Sequence, residues 1–226
     1  MLPLLAACMT PGSMRSVAAV RPVTVGIVAI NDFHGAIEPP HQSVLAPDGK
    51  GGTVQIPAGG GAWLASAVDG IRAQYPNHLT VSAGDLISAS QLASSIYLDE
   101  PAIGVANRIG LDFNAVGNHE FDRGRSELLR MQRGGCVQLT KRKPCQLEQF
   151  GGAHFRFLAA STLTESGKTL FPAYAMRTFG GGKHQVRVGI IGLTLRGTSD
   201  LVSPGGIKGL TFADEAATIN VLVPML

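Results

Sequence analysis

The chain has 226 residues, 45% of them hydrophobic and 15% charged, with a formal net charge of +3; this is long enough for one domain with a sizeable core and unlike a disordered composition. The small net charge and the lack of a long Lys/Arg block argue against binding nucleic acid through a broad basic patch, and no run of about 18 apolar residues offers a spanning helix. The 29 glycines suit a loop-rich α/β protein whose turns need positive φ.

Taken in chain order, Met1 to Ala7 is apolar and runs into Leu5-Ala6-Ala7-Cys8. That pattern resembles a bacterial lipobox, in which the cysteine becomes the lipidated first residue, so Cys8 is the candidate lipidation site. Residues 1–22 read as a leader and linker, and the chain as exported, periplasmic or lipid-anchored at the envelope. Val23–Ile30 is a β-branched, nearly continuous apolar run and reads as a strand buried on both faces, as inside a parallel sheet. Residues 38–58, rich in Pro, Gly and polar side chains, read as a long loop. Trp63, Leu64, Ala67, Val68 and Ile71 recur at helical spacing before Pro76. A strand is expected over Leu79–Ser82, a helix over Pro101–Ile109 with Gly110 as its stop, and a strand over Phe113–Val116. Ser126–Gln132 is a helix ended by Gly134-Gly135. Phe155–Ala160 and Val186–Leu193 are two more strands, and Asp214–Asn220 begins a helix. Alternating strands and helices predict a layered α/β domain.

Cys136 and Cys145 lie nine positions apart, a loop that closes readily as a disulfide with a model stabilisation of about 2–3 kcal/mol. No further thiol or imidazole at short spacing suggests zinc. A disulfide requires an oxidising compartment, in agreement with export; two free loop thiols are the alternative. The intervening Lys141-Arg142-Lys143 is short and reads as solvated surface.

Three polar clusters begin where an apolar strand stops: Asn31-Asp32-Phe33-His34-Gly35, Gly84-Asp85, and Gly117-Asn118-His119-Glu120-Phe121-Asp122. In open α/β sheets ligands bind beyond the carboxyl ends of the strands, so these clusters converge on one edge. Asp32 and His34, two residues apart, project to one side of extended backbone. Asp85 can bridge two ions with its two oxygens, and Asn118 offers a neutral amide oxygen. His119, adjacent to Asn118, points elsewhere and is free for substrate, and Asp122 can hold its tautomer. A mixed O/N set without thiolate favours Mn, Zn, Fe, Co or Mg. Glu120 and Phe121 are expected to pack or cap, and His41, His78, His154 and His184 to be surface or core residues.

These motifs resemble the first three metal motifs of the calcineurin-like metallophosphoesterases. With Gly60-Gly61-Ala62-Trp63-Leu64-Ala65, the run Lys168 to Tyr174 and Val188-Gly189-Ile190-Ile191-Gly192-Leu193-Thr194, the pattern is similar to the bacterial 5'-nucleotidase branch over about residues 23–215. The resemblance implies a layered sandwich of β-sheets flanked by helices. It also implies two divalent ions, with Asp32 and His34 on the first, Asp85 bridging and Asn118 on the second. His119 would be the catalytic imidazole and Asp122 its orienting partner, with a nucleotide or other phosphate ester as the small-molecule partner. Further ligands of the family pattern, and its C-terminal nucleotide-binding domain, are not in the sequence. Residues 23–226 are therefore expected to be a partial N-terminal domain, its sheet incomplete at the C-terminus, with weak metal binding and little or no turnover alone. Cyclic-nucleotide, nucleotide-sugar or sulfur-ester hydrolysis, or a non-catalytic extracytoplasmic module, are the alternatives.

Overall fold

The structure, a computed structural model, describes residues 22–226; the lipobox reading of Cys8 lies outside the described residues. Strand β1 (Gly26–Ile30) is followed by a hairpin, β2 (Ser43–Pro47) and β3 (Thr53–Pro57), then helix α1 (Gly61–Arg72) and β4 (His78–Ser82). A single turn, α2 (Leu92–Ser95), leads to α3 (Glu100–Ile109), β5 (Phe113–Ala115), α4 (Arg125–Arg133) and β6 (Arg156–Leu158). There follow β7 (Thr162–Thr164), the hairpin β8 (Tyr174–Gly181) and β9 (His184–Ile191), the turn α5 (Thr198–Leu201), β10 (Leu210–Phe212) and α6 (Glu215–Leu222).

The order β1-β4-β5-β6 makes one sheet, parallel throughout, while β2-β3, β7-β10 and β8-β9 pair antiparallel. Parallel neighbours need crossovers, and α1, α3 and α4 supply them in turn. Strand alternation then sends alternate side chains to opposite layers. Val28 packs with Val68 of α1 and Ile109 of α3, and Phe157 joins Leu128 and Met131 of α4 in the largest core cluster. On the other face Leu79, Phe113 and Leu158 meet Ala175, Phe179 and Ile190 of β8-β9. The fold is therefore a layered α/β arrangement, its parallel sheet lying between helices and a hairpin.

Helix limits follow local chemistry. Pro101 sits in the first turn of α3, where its missing N–H costs nothing, and Gly110, at φ 74°, ends that helix in the left-handed conformation. The Asp214 carboxylate accepts the Ala217 N–H at 2.9 Å and caps α6. Among the described residues no helix is long and apolar enough to cross a membrane.

Several expectations are corrected. Residues 38–58 hold the β2-β3 hairpin rather than an irregular loop. Almost every residue of both strands is exposed, so no buried face left an alternating pattern. The first strand is shorter than Val23–Ile30 and buried on one face only. Val28 is buried, whereas Ile27 is 57% exposed because the β8-β9 hairpin covers the middle of the sheet and not β1. The strand expected over Val186–Leu193 is β9, and its partner β8 has no strongly apolar run to announce it.

Cys136 and Cys145 are joined as a disulfide, with Cα atoms 5.5 Å apart. The loop is held to the body by a buried charge cluster. Arg130 pairs with Glu127 and with Glu100, both at 2.7 Å, and the Glu100 carboxylate also accepts the Cys145 N–H.

Candidate functional site

The loops following β1, β4 and β5 lie against one another at the carboxyl edge of the sheet. Asp32 N–H donates to Gly84 O at 3.2 Å and His34 N–H to Asp85 O at 3.0 Å, stitching the first loop to the second. Glycine makes the second and third loops meet. A Cβ on Gly84 would lie 2.7 Å from Gly117 N, and one on Gly117 would lie 2.3 Å from Asp85 Oδ1. Asp32, His34 and Asp85 all adopt left-handed backbone, at φ 50°, 44° and 51°. Such conformations cost non-glycine residues roughly 1–3 kcal/mol each and cluster at functional sites.

His34, Asp85 and His119 each offer a donor atom within 4.8 Å of the others'. The His34 and His119 rings meet edge to face with centroids 4.9 Å apart. Asp32 Oδ1 is 3.8 Å from His34 Nε2, and the Asp32 side chain is 58% exposed. Asn118 lines, with Asp32, Asp85 and Glu215, a cavity of ≈ 320 Å³. All the residues singled out from these clusters therefore come together, though not by the local geometry expected of them. Asp32 and His34 converge through left-handed turns rather than extended backbone. Asn118 is the N-cap of the 3-10 turn His119–Phe121 and lines the cavity, whereas His119 does not line it and is held by Asp122.

The hydrogen bonds fix which nitrogens are free. His34 Nδ1–H donates to the Ser88 carbonyl at 2.9 Å, leaving Nε2 as the acceptor. His119 Nδ1–H donates to Asp122 Oδ2 at 2.8 Å, and Asp85 Oδ1 accepts the His119 N–H at 2.9 Å. Burial works against a charge on His119, but the bond to Asp122, with the charges of Asp122, Asp85 and Glu120, raises its pKa above the ordinary value.

Two buried carboxylates tie the loops together: Glu120, expected to pack or cap, and Asp99, which escaped the sequence reading. Glu120, 1% exposed, accepts N–H groups from Asp85 at 3.0 Å, Leu86 at 2.8 Å and Gly117 at 2.7 Å. It ties the second loop to the third. Burial, with the charge of Asp85, pushes its carboxyl up to about 7, while the three amides pull the other way. Asp99, fully buried, accepts from Ser88 N–H, Ser94 Oγ and Arg123, and so holds the segment whose carbonyl orients His34. Burial alone would raise the Asp99 pKa, but the Arg123 charge and the surrounding hydrogen bonds bring it below the usual carboxylate range. Glu120 stands inside the third motif, whereas Asp99 has no sequence signal beyond lying near one. His41, His78 and His184 are exposed, and His154 lies on a separate cavity beside α3.

No family model matches the chain. It is 53% identical over 163 residues to an uncharacterized protein in the pqq-V 5' region of Acinetobacter calcoaceticus, covering 70% of this chain and 80% of that one. It is 35% identical to endonuclease YhcR of Bacillus subtilis over 91% of this chain and 16% of that protein. NAD 5'-nucleotidase of Haemophilus influenzae is 28% identical over 92% of this chain and 30% of its own length. The solved structure of Haemophilus influenzae NAD nucleotidase superposes with a TM-score of 0.64 at 25% identity, over 88% of this chain and 32% of that one. The chain belongs to the 5'-nucleotidase family. Calcineurin-like phosphoesterase YfkN of Bacillus subtilis, at a TM-score of 0.62 and 22% identity, covering 88% of this chain and 57% of that one, shares the fold. Against these two nucleotidase comparisons this family member spans about a third of the partner's length.

Proposed function

We propose that this chain is a metal-holding unit of a phosphoesterase that hydrolyses phosphate monoesters of nucleotides. Asp32, His34, Asp85 and Asn118 would hold two divalent ions (Mn, Zn, Co, Fe or Mg), and His119, oriented by Asp122, would be the catalytic imidazole. The single observation that carries this reading is the convergence of three strand-end loops on one cavity edge, bringing two imidazoles and three oxygen-bearing side chains together.

The donor set fits the ions. Carboxylate, amide and imidazole without thiolate suit borderline-to-hard divalent cations. His34 gives its Nδ1–H to a backbone carbonyl, as metal-ligating imidazoles characteristically do. When bound, such ions supply Lewis-acid stabilisation of phosphoryl oxygens and lower the pKa of the attacking water. The chain's own contribution is geometric and protonic. Asp122 holds the Nδ1 proton of His119 and stabilises the imidazolium, so that Nε2 carries a proton towards the ester oxygen. As water oxygen bonds to phosphorus and the phosphorus–ester bond breaks, that proton goes to the departing oxygen.

Export is part of the same proposal, supported by the disulfide, which needs an oxidising compartment. A second reading, cleavage of phosphodiester links, is favoured by the similarity to an endonuclease over nearly the whole chain.

Calorimetric titration with Mn²⁺, alongside phosphate release from 5'-AMP, tests the proposal. We expect weak Mn²⁺ binding that His34→Ala and Asp85→Asn abolish, and turnover that is small in this chain alone and that His119→Ala lowers further, by up to roughly 10²–10⁴-fold. A folded chain that binds no Mn²⁺ and leaves 5'-AMP and bis(p-nitrophenyl) phosphate untouched would overturn it. Hydrolysis of the diester alone would favour the second reading.

A further inference from the structure

Asp99 stands at the N-cap of α3 and does not cap it. Its backbone is left-handed, at φ 62°, and its side chain makes no capping hydrogen bond to its own helix. Aspartate is favoured at an N-cap because its carboxylate accepts from the first turn, and glycine fits a left-handed position best. Neither helix stability nor backbone ease therefore accounts for a fully buried carboxylate here. Its bonds run to the loop after β4 and the turn beyond it: Ser88 N–H donates to Oδ2 at 2.9 Å, and Ser94 Oγ to Oδ1 at 2.8 Å. Arg123, from the loop after β5, brings Nη1 to Oδ2 and, at 3.2 Å, to Ser88 Oγ.

Ser88 is where this network meets the site. Ser88 and Ala89 are both left-handed, at φ 66° and 46°, a conformation that persists in non-glycine residues only where the surroundings over-determine it. Three atoms of Ser88 are fixed: its N–H by Asp99, its Oγ by Arg123, and its carbonyl on His34 Nδ1. The two imidazoles of the site are thus held differently. His119 has the carboxylate of Asp122, three residues on, directly on its Nδ1. His34 has only a backbone carbonyl, 54 positions away, whose direction is set by the Ser88 backbone. The opposite side of Arg123 borders a cavity of ≈ 440 Å³, shared with Asp122, Lys141 and Arg142, so its guanidinium keeps a route to water without Asp99.

We infer that Asp99 is a positioning residue for His34, acting through Ser88 to keep the imidazole protonated on Nδ1 and its Nε2 free for a divalent ion. The inference rests on the role proposed for His34 as a ligand. Partners of this outer kind fix the tautomer and direction of a ligating ring, and their loss typically costs 10–100-fold in metal affinity. What matters on this account is an acceptor oxygen opposite Ser88 N–H, not the stability that the Arg123 ion pair adds. The two are separable by substitution. Asp99→Gly fits the left-handed backbone and removes the acceptor. Asp99→Asn also tolerates that backbone and keeps one oxygen for Ser88, while losing the charge that faces Arg123.

The test has two readouts on the folded chain: long-range proton–nitrogen correlation spectra of nitrogen-15 histidine without metal, and calorimetric titration with Mn²⁺. The spectra are taken at about pH 8, where an ordinary imidazole is neutral and its protonated nitrogen reports the tautomer. The control is Ile109→Ala, which hollows the contact with Val28 and Val68 at the far end of α3. Asp99→Gly should lose the Nδ1–H form of His34, keep the Nδ1 bond of His119 to Asp122, and bind Mn²⁺ about tenfold more weakly. Asp99→Asn and Ile109→Ala, both less stable, should keep the His34 tautomer and bind Mn²⁺ within about threefold of the wild type, a shift below 1 kcal/mol. An unchanged tautomer in Asp99→Gly, or loss of the tautomer in Ile109→Ala to the same extent, overturns the inference. So does its loss in Asp99→Asn, an arm that decides even where the glycine variant does not fold. A wild type that binds no Mn²⁺ overturns the proposed function, and the tautomer spectra then decide the positioning on their own.

Discussion

Glu120 accepts three backbone N–H groups from the loops after β4 and β5, and a carboxylate in that position acts on the site without touching what the site holds. Replacing it by Gln leaves one acceptor oxygen and turns an NH₂ group towards amides that are themselves donors. With the side chain wholly buried, Glu120→Gln should cost about 2–4 kcal/mol, a fall in Tm of roughly 5–15 °C, readable by calorimetry. An unchanged Tm would mean that the loops hold together without it. Asp99 works one step further out. Its carboxyl titrates lower in the folded chain than its ordinary value of about 3.9, so in the window below that value the unfolded state binds more protons and stability rises with pH. The Arg123–Asp99 contribution is therefore complete above about pH 4–5 and is lost as pH falls through the folded pKa. Asp99→Asn should cost roughly 3 kcal/mol at pH 7 and lose correspondingly less on going from pH 5 to pH 3, in urea melts at each pH. Equal losses in both proteins would show that the pair contributes nothing. Asp32, His34, Asp85, Asn118, His119 and Asp122 could be picked out because polar residues directly after apolar runs are a local pattern. The joining roles of Glu120 and Asp99 could not, because Asp85 and Leu86 for Glu120, and Ser88 and Arg123 for Asp99, lie 11 to 35 positions away and become partners only on folding.

The same difference between local and distant determinants separates the elements that were legible from those that were not. Helices α3 and α4 have an apolar stripe and glycine stops, signals contained in ten consecutive residues. The strands β4 and β5 are short, but buried in a parallel sheet, and so read as apolar runs. Hairpin β2-β3 lacks any buried face, and β8 alternates too weakly to be distinguished from a loop. What defines both is pairing with the following strand. The disulfide loop belongs with these cases. The pairing could be expected from spacing, whereas the position of Lys141 and Arg142 beside Asp122 depends on where Glu100 and Arg130 anchor the loop. Removing the cross-link by Cys136→Ala/Cys145→Ala should lower stability by about 2–3 kcal/mol on the loop-closure model. Because Arg130 and Glu100 remain, the loop should stay docked, visible as unchanged protection of the Cys145 position amide in hydrogen exchange. Loss of that protection would mean that the cross-link, and not the charge cluster, positions the loop.

At the scale of the molecule, stability must be unevenly spread. The core cluster that joins α3, α4 and β6 to the loops of the candidate site contains Ile103, Val116, Phe121, Leu128, Met131 and Phe157, all essentially inaccessible. Helix α6 contains no buried residue at all, and Val221 is 66% exposed. Eight residues are too few for a helix to be stable in water by itself, so α6 depends on the Asp214 cap and on the bond from Arg196 N–H to Glu215 at 2.7 Å. Hydrogen exchange should therefore show amides of α3, β4 and β5 opening only with global unfolding, while those of α6 and β2-β3 exchange through local opening at much lower cost. Asp214→Ala removes a cap contribution of about 1 kcal/mol and should speed α6 exchange roughly fivefold while leaving α3 unaffected. The position of α6 gives this consequence for the site, because Glu215 in its first turn lines the cavity shared by Asp32, Asp85 and Asn118. Slow exchange in α6, as slow as in the core, would mean that something packs on it in solution; fast exchange means that this wall of the cavity opens independently of the loops that carry Asp32, Asp85 and Asn118.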